Sequence, residues 1–85
     1  MEIYFSSKFE REYRRLSLIV KMAAEKKEKI FKINPFQTSL ETHKLKGALK
    51  DFWAFSINKK YRIIFEFVKP DVVWFPRRQG SIRTL

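Results

Sequence analysis

The sequence contains no cysteine, which removes disulfides, thiolate metal sites and thiol nucleophiles together. It has a single histidine, His43, and no clustered carboxylates at ligand spacing, so no resident metal is expected. The only glycines are Gly47 and Gly80, which excludes a glycine-rich phosphate loop. No apolar run approaches the roughly 20 residues that cross a bilayer. The opening Met1-Glu2-Ile3-Tyr4 also lacks the basic-then-apolar layout of a secretory signal. The expectation is a cytoplasmic protein with no membrane partner and no cofactor. Negative charge is scarce too: nine acids stand against nineteen Lys and Arg, for a net charge of +10.

That excess is not a basic tail. Residues 1–33 carry nine Lys/Arg against five Glu, and residues 34–85 carry ten against four acids. A field spread over both halves favours a polyanionic partner, and nucleic acid is the first candidate. The hydrophobic content of 45%, with nine Phe and two Trp, supports a compact core. A single domain over residues 1–85 is expected, burying roughly two-thirds of its unfolded surface.

Residues 3–5 are apolar and read as a first strand. Ser6 or Ser7 then caps a helix, Ser7 and Glu10 having capping-box spacing, and Phe9, Tyr13 and Leu16 form its apolar stripe. Ser17 offers a fresh cap for a second helix over residues 18–32. That helix is expected to bury Ile19, Met22, Ala23, Ile30 and Phe31 and to turn Lys21, Glu25, Lys26, Lys27, Glu28 and Lys29 outward. Asn34-Pro35 ends it, because proline disfavours a helical residue before it. Residues 36–42 make a loop anchored by Leu40.

Two runs rich in aromatic and β-branched residues follow, 52–57 and 61–68, separated by Asn58-Lys59-Lys60. Trp53, Phe55 and Ile57 share one face of the first run, and Tyr61, Ile63, Phe65 and Phe67 share one face of the second. A three-residue connection aligns these faces and sets Ser56 opposite Arg62, Ala54 opposite Ile64 and Phe52 opposite Glu66. A two-residue turn would slip the register and push Arg62 among the aromatics. The sheet therefore has one buried face and one semi-polar face carrying Arg62. Lys69-Pro70-Asp71 makes a turn, and residues 72–75 form a third antiparallel strand. Pro76 must end that strand or sit at a bulge. Residues 76–85 hold three arginines and no acid and are expected to lie loosely over the surface.

The stretch His-Lys-Leu-Lys-Gly at 43–47, the run from Phe52 to Phe67 and the upstream Asn34-Pro35-Phe36 resemble the centre of the RelE/ParE superfamily of toxins from toxin–antitoxin pairs. The likeness covers residues 4–75 and is most specific over 34–67. It implies an α+β fold in which a helical hairpin packs on a small, twisted antiparallel sheet, in the order β-α-α-β-β-β. It also implies a ribosome-dependent mRNA endoribonuclease, with the ribosome and mRNA as targets and an acidic antitoxin as partner.

Metal-free RNA cleavage needs a base for the 2′-OH, a cation for the crowded phosphate and an acid for the leaving 5′-oxygen. Arg62 suits the phosphate, since its fixed fork matches phosphate oxygens. It also matches the arginine in the family's Tyr-Arg-apolar-apolar strand. Histidine is the side chain suited to proton transfer near neutrality, and His43 falls where one branch of the family has a functional histidine. A loop histidine is more often an ordinary residue, and Arg62 has Glu66 on its own strand face as an alternative partner. Lys44, Lys46, Lys50, Arg77 and Arg78 are candidate RNA-backbone contacts. The departures are specific. Lysines of ribosome-dependent members are replaced by Ala54 and Ser56, and the family's closing strand, source of a His or Tyr, is replaced by Pro76-Arg77-Arg78-Gln79-Gly80. The catalytic set is therefore incomplete, and three readings stay open: an attenuated nuclease, a ParE-like inhibitor of DNA gyrase, and an inactive RNA- or antitoxin-binding scaffold.

Overall fold

The structure, a computed structural model, describes residues 1–79. Its elements run β1 (Glu2–Phe5), α1 (Ser7–Arg14), α2 (Leu18–Ile33), β2 (His43–Lys44), β3 (Trp53–Ser56), β4 (Arg62–Lys69) and β5 (Val72–Gln79). Short 3-10 turns at Thr38–Leu40 and Gly47–Leu49 flank β2. The strands form one sheet in the order β1-β5-β4-β3-β2. Both helices lie on one of its faces, so the expected α+β architecture is present.

Serines start both helices, as their spacing indicates. Ser6, not Ser7, caps α1: its Oγ accepts from the Phe9 amide at 2.9 Å and donates to the carbonyl of Pro76. The capping-box spacing of Ser7 and Glu10 is therefore not used as such. Ser17 caps α2 by accepting from the Val20 amide. Ser6 joins helix to sheet, so Ser6→Ala is expected to cost about 1–2 kcal/mol in urea unfolding. Ser17→Ala, at an exposed cap with a longer 3.3 Å bond, should cost less.

The core confirms most of the pattern and corrects one helix face. Phe9, Phe31, Leu40, Phe55, Ile57, Ile63, Phe65, Val73 and Phe75 are buried together. Phe31 is the hub, its ring 4.5 Å from Phe55, 4.9 Å from Phe65 and 5.9 Å from Phe75. In α2, however, the inward stripe runs Val20, Ala24, Lys27, Phe31, and Ala24 is fully buried. Ile19 is 79% exposed and Met22 62% exposed, against expectation. The helix is rotated because a second apolar series lies beside the first. Alanine at 24 lets α2 approach the sheet, and Lys27 reaches out along its stem.

The hairpin has the expected register: Ser56 pairs Arg62, Ala54 pairs Ile64 and Phe55 pairs Ile63. Asn58 fixes the three-residue connection, its Oδ1 accepting from the amides of Lys60 and Tyr61, both at 2.9 Å. Ile57 closes the loop through its amide on the Tyr61 carbonyl at 3.0 Å.

Besides the edge strand β2, which the expected β-α-α-β-β-β order lacks, two features of the sheet depart from the sequence reading. The sheet is mixed, because β1 runs parallel to β5, with Ile3 beside Val73 and Phe5 beside Phe75. Val73 and Phe75 are fully buried, and β1 gives their strand its second neighbour. The other departure is at the end of the chain. β5 does not stop at Pro76 but continues to Gln79, setting Arg77 opposite Ile64, Arg78 opposite Ile63 and Gln79 opposite Arg62. Pro76 sits at the alternative place for a strand proline, an irregularity between the pairs Ile64–Arg77 and Glu66–Trp74. The loose tail is thus wrong for 76–79; residues 80–85 lie outside the described residues.

One acid on α2 gives a pH test. Burial is the main cause that raises the Glu28 carboxyl above the ordinary 4.5, opposed by Lys32 at 3.7 Å. A raised folded-state pKa favours folding fully below the unfolded value, and that contribution is lost as pH rises through the folded value. Glu28→Gln should therefore be slightly more stable than the parent at neutral pH, by a few tenths of a kcal/mol, with the gap closing towards pH 4. Thermal melts across that window read it.

Candidate functional site

The face of the sheet away from the helices is built from the alternate residues of β3 and β4. Ala54 and Ile64 are buried there under Leu45, with Leu49 and Phe52 packed against them. The segment around Gly47, whose φ of 69° suits glycine, folds over this half of the face. Farther along the same face Ser56, buried, and Arg62, half-buried, lie side by side.

Arg62 lines a cleft of ≈ 420 Å³ together with Lys27, Ser39, Glu41, Ser56, Ile57, Asn58 and Lys59. Its Nη1 is buried and has no hydrogen-bond partner among the described residues. A buried guanidinium nitrogen without an acceptor costs free energy unless a ligand supplies one. Among the described residues no ion pair joins Arg62 to Glu66. The other hydrogen-bonding groups are held in place: Lys27 Nζ donates to the Ser39 carbonyl at 2.8 Å, and Ser56 Oγ donates to the Asn58 carbonyl at 2.9 Å. Among the described residues, three cations line this cleft with one carboxylate, Glu41. Such an arrangement favours a phosphate.

His43 pairs with Ala54 and so shares the face of Ala54, Ile64 and Arg62. It lies two strands from Arg62 and two residues along, about 12 Å between Cα atoms by strand spacing and rise. It does not line the Arg62 cleft itself. Its Nδ1 is 2.9 Å from the Glu41 carbonyl. A carbonyl oxygen can only accept, so Nδ1 carries a proton, and in the neutral ring the lone pair is on Nε2. Glu41 holds that carbonyl in position with a left-handed φ of 51°. A nucleotide spanning the face would have Nε2 at one side and the guanidinium at the other.

The remaining expected contacts divide. Lys44 follows His43 on β2 and turns to the opposite face, where its Nζ lies 5.9 Å from the Trp53 ring centroid. Strand alternation therefore takes it away from Arg62. Lys46 and Lys50 flank the turn at Gly47–Leu49, both exposed, and neither lines the Arg62 cleft. The backbone of Arg77 and Arg78 runs along β4 beside the site. Sequence reasoning missed Lys27, Lys59 and Glu41. Lys59 was recoverable, since it lies in the connection that brings Arg62 opposite Ser56. Lys27 was hidden by the misjudged rotation of α2, and Glu41 by the absence of any local pattern.

The fold has many solved counterparts. A YoeB/ParE toxin from Agrobacterium tumefaciens superposes with a TM-score of 0.78 at 14% identity, over 95% of this chain and 99% of that one. The archaeal RelE–RelB complex from Pyrococcus horikoshii gives 0.75 at 15%, over 96% of each chain. YafQ from E. coli gives 0.73 at 18%, over 98% of this chain and 94% of its own. At such identities these likenesses establish the fold. No curated protein matches in sequence. A family model described as RelE-like toxin of type II toxin-antitoxin system HigB matches residues 4–75, the span over which the sequence motifs carry their resemblance. With the fold and the family pattern in agreement over most of its length, the chain belongs to the HigB-like branch of the RelE-like toxins of type II toxin–antitoxin systems.

Proposed function

We propose that this toxin is a metal-independent endoribonuclease that cuts mRNA on the ribosome in the cytoplasm and so stops translation. The observation that carries the proposal is the buried Nη1 of Arg62, without a partner among the described residues, in a cleft shared with Lys27 and Lys59. In the reaction, His43 Nε2 takes the 2′-OH proton and the 2′-oxygen attacks the adjacent phosphorus. Arg62 neutralises the crowded phosphorane, and the bond to the 5′-oxygen breaks, leaving a 2′,3′-cyclic phosphate. The leaving oxygen takes its proton from water, since His43 is the chain's only histidine and serves as base. Lacking a positioned acid typically costs about 10²–10⁴-fold in rate. A slow cutter is the expected phenotype.

The partner in this reading is an acidic antitoxin. YoeB–YefM of Staphylococcus aureus is a toxin–antitoxin complex, and RelE of Pyrococcus horikoshii is likewise solved in complex with RelB. On this chain Leu18, Ile19 and Met22 are exposed on α2, where Lys21 is a neighbour in sequence. Apolar contacts edged by positive charge suit an amphipathic acidic helix. Primer extension on mRNA in a translating extract tests the activity. New 5′ ends that require the ribosome support it, whereas intact mRNA with arrested DNA supercoiling would replace it with gyrase inhibition. Intact mRNA and normal growth would leave only a binding scaffold.

A further inference from the structure

The motif Asn34-Pro35-Phe36 takes no part in the cleft, yet the structure holds its phenylalanine in an unusual setting. Phe36 is 54% exposed, although aromatic rings of this size are normally covered. It is not a loose side chain. Asn34 Oδ1 accepts from the Phe36 amide at 3.0 Å, and the Thr42 hydroxyl donates to the Pro35 carbonyl. The ring stands edge-on to Trp53, with centroids 5.5 Å apart at 76°, and lies nearly parallel to Phe67 at 6.0 Å and 26°. Trp53 and Phe67 also meet, at 6.0 Å. Lys44 places its ammonium 5.9 Å from the Trp53 centroid.

We propose that Phe36, Trp53, Phe67 and Lys44 form a stacking site for an unpaired nucleobase of single-stranded RNA, on the face of the sheet opposite Arg62. The inference rests on the reading of this toxin as directed at RNA. A preorganised ring with one side packed and the other open presents a π-surface that any base can cover. The ammonium beside the indole attracts the phosphate that accompanies that base, within a protein of net charge +10. An aliphatic patch would serve a protein partner equally well; three rings with a cation favour a nucleobase. None of these four residues lines the Arg62 cleft, so the site would hold RNA flanking the cut, or an exposed base of the ribosome, rather than the reacting phosphate.

The test uses the full chain with Trp74→Phe, leaving Trp53 as the fluorescent reporter. A short oligoadenylate is expected to quench Trp53, and Phe36→Leu to weaken its binding about 5–50-fold. Phe36→Tyr, which keeps the ring, should stay within about twofold, and exposed Lys44→Gln should lower both affinity and its salt dependence. Arg62→Ala should leave this quench unchanged. Equal affinity for the parent and Phe36→Leu would overturn the site even if ribosomal cleavage stands. So would quenching by an acidic amphipathic peptide but not by the oligonucleotide. Loss of cleavage activity with intact Phe36-dependent quenching would instead sink the nuclease reading alone.

Discussion

Arg62→Ala is expected to reduce the mRNA cleavage rate by about 10²–10³-fold, the usual cost of removing one preorganised group from a developing negative charge. Growth arrest on expression should disappear with it. The side chain is half-buried, its Nη1 has no acceptor among the described residues, and two of its neighbours in the cleft are lysines, so folding depends little on its charge. Indeed the variant should melt at or slightly above the parent temperature, because a buried donor without a partner is removed. That pairing of lost activity with retained stability separates a phosphate ligand from a structural arginine. Arg62→Lys should recover a small part of the rate, since the charge remains and the bidentate fork does not. His43→Ala is the companion variant: its effect should vanish in the Arg62→Ala background if both act in one step. Equal cleavage by the parent and Arg62→Ala would end the proposal.

The second large effect concerns the core. Phe31→Ala should cost about 3–5 kcal/mol, since a fully buried ring that touches Phe55, Phe65 and Phe75 is replaced by a cavity. For a domain of this length each kcal/mol shifts the melting midpoint by about 4–8 °C, so a fall of about 12–40 °C is expected. Phe31 is where α2, β3, β4 and β5 meet, which leaves little room for local collapse. Phe31→Leu, keeping much of the volume, should cost about 1–2 kcal/mol. Urea titrations followed by circular dichroism distinguish the two. A loss under about 1 kcal/mol for Phe31→Ala would mean that α2 does not pack on the sheet as described.

Much of the architecture was readable because it is local. Period-two alternation in residues 52–57 and 61–68 admits one register that keeps the arginine out of the aromatic layer, and Asn58 supplies the turn that this register needs. Serines at 6 and 17 mark helix starts through bonds to amides three residues on. The candidate site was legible only in part. Arg62 and His43 announce themselves by type and by strand face. Lys44 adjoins His43 in sequence, yet β2 places consecutive residues on opposite faces and so turns it away from Arg62.

The amino-acid order by itself determined the basic character, the two capped helices, the β3–β4 hairpin and the outward turn of one guanidinium, since each follows from neighbours a few residues away. Tertiary structure alone decided three things. β1 joined β5 in parallel, α2 rotated so that Ala24 and Lys27 face inward, and β5 ran past Pro76 to lie beside Arg62. These depend on which distant surfaces fit most closely, and that choice is made by packing across the whole core. In the cleft, tertiary structure sets Lys27 of α2 and Glu41 beside Lys59 and Arg62, which the local hairpin already holds together, and among the described residues the inner nitrogen of that arginine has no partner.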